Sequence, residues 1–266
     1  MTRSLLPVPP DVAARLDGRP LLLLLDVDGT LAPIVSRPDE AAVPEPTRRV
    51  VAALAARPAV HVALVSGRGA ADAARVAGVP GVWVIGNHGF ELESPDGEVH
   101  RDPRLAGVPD TVAEAARRLA PRIVRWPGVL LEDKHWTLSV HHRLADPAIL
   151  PELSAAAEDV ARATGLRITT GKKVIELRPA IAIDKGSAVL ALGERLHALS
   201  GHAAALFIGD DATDEDAFRA LRARSARTVT VRVTHGDDVE TAAELAVRDP
   251  EAVREFLEWL LERSRD

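Results

Sequence analysis

The hydrophobic pattern changes character along the chain. Residues 21–25 are five consecutive leucines with no polar alternation, as expected of a strand covered on both faces in the middle of a parallel sheet. Asp26 and Asp28 end the run, and a Gly29-Thr30 turn follows. Residues 31–46 carry four prolines and read as a loop. Residues 47–57, with Val50, Val51 and Leu54 on one side, predict a helix. Residues 60–65 and 82–85 predict two more apolar strands, with a helix up to Val76 between them. This β-α-β-α-β order implies a parallel sheet.

The pattern then switches. Residues 110–119 and 151–163 read as helices. Segments 129–131 and 137–141 are β-rich, and 166–170 with 174–177 read as a hairpin turning near Gly171. This alternation predicts a separate α+β unit inserted into the first. The first pattern resumes at 184–186 with a helix to His197, strands at 204–208 and 228–233, and a final helix. That last helix places Val253, Phe256, Leu257, Leu260 and Leu261 at amphipathic spacing. Residues 1–20 are proline-rich and read as a short lead-in. Trp126 and Trp136 are expected in the core. The predicted division is 1–106 with 181–266 as one domain and 107–180 as the insert.

Composition narrows the function. The chain has 266 residues, 47% apolar and 27% charged, a globular balance. A net charge of −6 argues against nucleic acid as a partner. There are no cysteines, which excludes disulfide and thiolate chemistry. The leucine run is far shorter than the about 20 apolar residues a bilayer needs, and no signal-peptide pattern opens the chain. We expect a soluble, cytoplasmic monomer with no membrane partner. Of 33 basic side chains only Lys134, Lys172, Lys173 and Lys185 are lysines. A lysine retained in so arginine-rich a chain suggests a need for a compact ammonium, although one of the adjacent pair reads as merely solvated.

Four polar clusters sit beyond predicted strands or at helix starts: Asp26/Asp28, Ser66/Arg68, Lys185, and Asp210/Asp211/Asp214. If their strands are neighbours in one parallel sheet, the clusters meet at its C-terminal edge, where open α/β sheets build their sites. Acids from two strand ends suit Mg²⁺. A free carboxylate can attack phosphorus, and a hydroxyl and an ammonium can stabilise charge on the transferred group.

Asp26-Val-Asp-Gly-Thr-Leu, Ser66-Gly-Arg, Lys185 and the string Gly-Asp-Asp-Ala-Thr-Asp-Glu-Asp at 209–216 resemble, in order, the four motifs of the haloacid dehalogenase (HAD) superfamily. Within it the chain resembles the trehalose-6-phosphate phosphatase family. That likeness rests on Asp-Gly-Thr-Leu-Ala-Pro-Ile at 28–34, Gly-Asn-His-Gly at 86–89 and Glu-Asp-Lys at 132–134. It rests also on Ser-Val-His-His-Arg at 139–143, Gly-Lys-Lys-Val-Ile-Glu-Leu-Arg-Pro at 171–179 and Asp-Lys-Gly at 184–186. It covers the chain from about residue 21 onward.

The resemblance implies an α/β fold: a HAD-like Rossmannoid parallel-sheet core with an inserted α+β cap of type 2. It implies a Mg²⁺-dependent phosphatase that hydrolyses trehalose 6-phosphate through an aspartyl-phosphate. Asp26 would be the nucleophile and Asp28 the general acid and base. Asp26, Asp210 and the Asp28 carbonyl would hold Mg²⁺, with Asp211 and Asp214 supporting the metal or orienting Lys185. Ser66, expected at a helix start, would donate to the phosphate, and Lys185 would pair with nucleophile and phosphate. Glu132, Lys134, Lys172 and Glu176 would read the sugar, with Arg68, Asn87, His88, His141 and Arg143 as further contacts. Val27 stands where phenylalanine is more common in the family, and His142 where many members have tyrosine.

A calcium loop beginning at Asp26 would need an acidic twelfth residue, and Arg37 stands there. Gly67-Arg-Gly69 lacks the third glycine of a dinucleotide fingerprint, Asp72 occupying its place. Adjacent His141 and His142 face opposite ways on a strand and do not make a zinc pair. Glu215 and Asp216 suit a solvated helix start favoured by the dipole. Competing functions are a phosphatase of another sugar phosphate (sucrose- or mannosylglycerate-type) and a non-catalytic sugar-phosphate-binding protein.

Overall fold

The five leucines lie in the middle of a sheet, and their side chains divide between two cores. Leu21, Leu23 and Leu25 enter one apolar cluster, and Leu22 and Leu24 enter the other. Every residue of that strand is buried. This is the physical meaning of an unbroken apolar run: both faces are covered by helices, so neither side keeps polar positions.

The structure is a computed structural model and describes residues 3–35, 37–100, 102–171, 173–237 and 240–264. In chain order its elements begin with β1 (Arg3–Ser4), α1 (Pro10–Leu16), β2 (Leu21–Asp26), α2 (Glu45–Ala55), β3 (Val60–Val65), α3 (Ala70–Ala77), β4 (Trp83–Gly86), β5 (Glu91–Glu93) and β6 (Val99–His100). Next come α4 (Val108–Ile123), β7 (Leu130–Asp133), β8 (Leu138–His141), α5 (Leu150–Thr164), β9 (Leu166–Gly171) and β10 (Val174–Pro179). The chain closes with α6 (Lys185–Arg195), β11 (Ala204–Gly209), α7 (Asp214–Arg224), β12 (Thr228–Val233), β13 (Leu245–Val247) and α8 (Pro250–Arg263). Two compact units result, residues 1–100 with 183–266, and residues 101–182. The limits expected from the sequence, 106/107 and 180/181, differ from these by six and two residues.

The first unit holds a nine-stranded sheet in the order β1-β13-β12-β11-β2-β3-β4-β5-β6. It is parallel from β1 through β4, and β5 and β6 add antiparallel pairs at one edge. From β2 the chain builds outward through β3 and β4, then returns to build the other way through β11, β12 and β13. The order therefore reverses between β2 and β11, and a crevice opens beyond the carboxyl ends of strands at such a switch point. In register, Leu25 lies opposite Ile208, which brings Asp26 and the Gly209-Asp210 end of β11 to the same edge. On one face α8 supplies Val253, Phe256, Leu257 and Leu260. On the other, α6 and α7 supply Val189, Leu192, Ala217, Phe218 and Leu221.

The second unit is a four-stranded antiparallel sheet, β7-β8-β10-β9, packed on α4 and α5. Leu138, Val140, Ile175 and Leu177 are buried, and alternation puts them on one face of their strands. The buried stripes of the helices are Val112, Ala115 and Leu119, and Leu153, Ala157 and Val160.

Within the lead-in expected over residues 1–20, the described part from residue 3 onward instead forms β1 and α1. Leu5, Val12 and Leu16 are buried, and Pro10 occupies the first turn of α1, where its missing N–H costs nothing. Its prolines hide a short helix whose apolar spacing is only one turn long. Strands β5, β6 and β13 have two or three residues each, too few to show a period. Helix α4 runs on past Leu119 with Pro121 in its last turn. Trp126 and Trp136 are buried.

Candidate active site

Strand parity decides which way the nucleophile candidate points. Asp26 shares the parity of Leu22 and Leu24, so its side chain lies on the α6/α7 face of the sheet. Lys185 is the first residue of α6 and Asp214 the first of α7. The start of α6 is set by a capping box: the Asp184 carboxylate accepts from Ser187 N at 2.7 Å, and Ser187 Oγ accepts from Asp184 N at 3.0 Å. The two helix starts approach closely at Gly186, where a Cβ would come within 2.6 Å of the Asp216 carbonyl oxygen.

Lys185 is 1% exposed, and a buried ammonium at a helix N-terminus is doubly unfavourable unless anions surround it. Its Nζ donates to Asp26 Oδ1 at 2.9 Å and to Asp214 Oδ1 at 2.7 Å, with Asp211 Oδ1 at 3.8 Å. These carboxylates outweigh the cost of burial and hold Lys185 protonated well above the usual lysine range. The acids remain in excess. Burial pushes Asp26 up to about 8, against the pull of Lys185. Burial and the neighbouring Asp214 and Asp211 carboxylates push Asp210 up to about 7. Burial also raises Asp214. Burial works the same way on Asp211, but Lys185 and the Thr213 hydrogen bonds overcome it and hold that carboxyl below its usual range.

This excess has a geometric counterpart. Ligand atoms of Asp26, Asp210 and Asp214 lie within 4.8 Å of one another. Asp26 Oδ2 and Asp210 Oδ1 are buried without a hydrogen-bond partner. Both oxygens of Asp214 are engaged, Oδ1 by Lys185 and Oδ2 by Asp211 N at 2.9 Å. Two orphaned carboxylate oxygens from adjacent strand ends form a hard, all-oxygen donor set that suits a magnesium-like cation. Asp214 serves the lysine and the loop. Gly29, at φ +83°, lets the loop after β2 lie against Asp210, since a Cβ there would sit 2.1 Å from Asp210 Oδ2.

The remaining candidates of this unit form a second group. Arg68 grips Asp28 with two hydrogen bonds, 2.6 and 2.8 Å, and Asp72 holds the same guanidinium at 2.6 Å. Ser66 follows β3, whose Val65 pairs with Asp26. It is buried, and its Oγ accepts from Arg68 N at 3.1 Å. Its expected place at a helix start is corrected: α3 begins at Ala70 with Gly69 as its cap, so Ser66 belongs to the strand-end loop. Asn87 and His88 both have left-handed backbones, φ 48° and 57°. Their N–H groups donate to the Arg68 and Ser66 carbonyls at 2.7 and 3.0 Å, which locks the two loops together.

In the second unit, one row of the sheet carries Glu132, Ser139 and Glu176 as direct partners. This polar face is opposite the helices. His141 Nε2 lies 2.8 Å from Glu132 Oε2, and Lys134 Nζ lies 3.8 Å from Glu132 and 3.7 Å from Glu176. Ser139 Oγ donates to Glu176 Oε1 at 3.2 Å, and Arg178 flanks Glu176 at 3.8 Å. Glu132, Lys134, His141 and Glu176 therefore meet. Arg143 is exposed in the turn after β8, apart from that row. Lys172 lies outside the described residues.

Several residues at the site carry no strong sequence signal. Asp72 stands four residues after Arg68, a spacing that can be read locally. Glu91 accepts from both Ala70 N and Asn87 Nδ2. Arg232 at the end of β12 and His235 in the turn after it stand 17 to 25 residues from the groups they touch. Glu215, expected as a solvated helix start, is corrected as well: it is buried and accepts from Thr241 Oγ1 at 2.6 Å and Ala242 N at 2.7 Å.

The parallel sheet that carries the paired acids and the buried lysine at its switch point has the fold of a haloacid dehalogenase-like hydrolase. A protein of that description from Bacteroides thetaiotaomicron shares the fold at a TM-score of 0.62 and 17% identity, over 90% of this chain and 98% of its own. The family model for trehalose-phosphatase matches residues 24–251, and the chain belongs to that family. A trehalose-phosphate phosphatase of Mycobacterium avium is 40% identical over 251 residues, 93% of this chain and 64% of the relative. The chain thus spans a little under two thirds of that relative's length. A solved trehalose-6-phosphate phosphatase related protein superposes at a TM-score of 0.76 with 29% identity, over 91% of this chain and 97% of its own.

Proposed function

We propose that this chain is a Mg²⁺-dependent phosphatase that hydrolyses trehalose 6-phosphate to trehalose and phosphate. The observation that carries the reading is the Asp26 carboxylate. One oxygen is fixed by Lys185 and the other is buried and unpartnered, and family membership supplies the substrate class.

Asp26 attacks phosphorus, a P–O bond to its carboxylate forms, and the P–O bond to the sugar breaks. Asp28 gives a proton to the departing sugar oxygen. It then takes one from water, which attacks the aspartyl-phosphate and frees Asp26. Lys185 stays charged and neutralises oxygen charge at Asp26 throughout. Asp26 and Asp210, with the Asp28 carbonyl, would hold Mg²⁺, which neutralises phosphate charge when bound. Asp28 rests in the fork of Arg68, and a guanidinium accepts phosphate as readily as carboxylate. An arriving phosphate competes for Arg68 and releases Asp28 for proton transfer. Ser66 donates to the phosphate.

The sugar carries hydroxyls and no charge. Glu132, Lys134, His141 and Glu176 offer acceptors and donors for it on the polar face of the inserted unit, with Lys172, Asn87, His88 and Arg143 as further contacts. The test is phosphate release from a panel of sugar phosphates with Mg²⁺ or with a chelator. Trehalose 6-phosphate should be the preferred substrate, and activity should vanish without the metal. Equal turnover of sucrose or mannosylglycerate phosphates would overturn the substrate, and metal-independent turnover would overturn the cofactor.

A further inference from the structure

We propose that the C-terminal end of β12 supplies a basic clamp, Arg232 and His235, which orients Asp210 for a divalent cation, so that His235 is a positioning residue of the metal site. The inference rests on the metal reading above and extends it to residues outside the four motifs.

His235 Nε2 lies 3.1 Å from Asp210 Oδ2. With Asp210 ionised, as a metal ligand must be, its oxygen only accepts, and in that state the ring nitrogen donates. The whole carboxylate is backed by Gly29, where a Cβ would sit 2.1 Å from Oδ2 and 2.9 Å from Oδ1. The carboxylate therefore packs against the backbone at Gly29 while its Oδ2 is held by the ring. Oδ1 is the buried oxygen without a partner, and Asp210 and Asp26 offer ligand atoms within 4.8 Å of one another. Partners of this kind fix ligand orientation in metal sites and raise ligand basicity.

The next peptide is fixed from the same strand. Arg232 Nη1 donates to the Asp211 carbonyl at 2.5 Å and lies 3.5 Å from Glu215 Oε1. Glu215 in turn holds the Thr241–Ala242 backbone and hydroxyl. The turn that carries His235 is built for one placement. His235 has a left-handed backbone, φ 54°, uncommon outside glycine. Thr234 N donates to the Val247 carbonyl at 3.0 Å, and Asp237 N returns to the Thr234 carbonyl at 3.0 Å. Backbone strain held by flanking hydrogen bonds marks a position that the surroundings impose.

Mn²⁺ titration, followed by loss of the free aqua-ion electron paramagnetic resonance signal, tests the clamp without any turnover. The wild-type chain should bind Mn²⁺, and His235→Ala should weaken binding by about 10- to 100-fold. His235→Gln, whose amide can also donate to Oδ2, should recover most of that loss. Metal-free melting curves of both variants establish that they are folded. Mn²⁺ affinity in His235→Ala equal to that of the wild type would overturn the clamp while leaving the metal site standing. Equal weakening in both variants would also overturn it, because donation to Oδ2 is the claimed role. A wild-type chain that takes up no Mn²⁺ would instead remove the metal reading itself.

Discussion

Lys185 carries a heavy electrostatic load. It is buried at the positive end of a helix, and only Asp26, Asp214 and the more distant Asp211 make its charge tolerable. Replacement by methionine keeps the volume and leaves the carboxylates facing one another without a cation. Removing one partner of a buried ion cluster costs on the order of 3–5 kcal/mol. Lys185→Met should lose stability on that scale in metal-free urea melts, regain part of it with Mg²⁺, and lose turnover. Unchanged metal-free stability would contradict the role. Asp26→Asn, which leaves Asp214 and Asp211 to hold the lysine, should stay folded while turnover falls by more than about 10³-fold. The acids and the lysine are legible in the chain because each sits at a strand end or helix start. Their partners His235 and Arg232 are not, because strand order rather than sequence distance brings β12 beside β11.

Elements carry the next layer. The pairing of Lys185 with Asp214 needs α6 and α7 to touch at Gly186, where a Cβ would meet the Asp216 carbonyl at 2.6 Å. Gly186→Ala should part the two helix starts, cost about 1–3 kcal/mol and depress turnover beyond what lost folding explains. Ser187→Ala removes only half of the capping box and should cost about 1 kcal/mol. Circular dichroism melts beside kcat values separate the two effects. On the inserted sheet, the Glu132–Ser139–Glu176 row predicts that Glu132→Ala or Glu176→Ala reduces kcat/KM for trehalose 6-phosphate about 10- to 100-fold more than for a small aryl phosphate, as lost hydrogen bonds to charged groups imply. Equal losses on both substrates would remove these residues from sugar recognition. The unbroken leucine strand and the long helices α5 and α8 are readable. Elements of two or three residues are not, since β1, β5, β6 and β13 owe their existence to neighbouring strands and not to their own sequence.

Across the whole molecule, the excess of buried acid ties stability to pH and metal. The metal-free fold holds Asp26 near 8 and Asp210 near 7, against about 3.9 in the unfolded chain. Between about pH 4 and 8 the folded state therefore binds more protons than the unfolded one, and its stability falls as pH rises. A cation replaces those protons, so the rise in Tm on adding Mg²⁺ should be small near pH 5 and grow toward pH 8. A rise independent of pH would contradict the burial of ionisable ligands. The division into two units is legible from the change of period near residue 107 and its return near 184, and the switch point follows from strand order alone. The central claim is that Asp26 takes the phosphoryl group. During turnover of trehalose 6-phosphate with Mg²⁺, acid quench and borohydride reduction should convert an aspartyl-phosphate to homoserine, and peptide mass spectrometry should place it at residue 26. Sustained turnover with no reduced residue at 26, or with one at another position, would contradict the account.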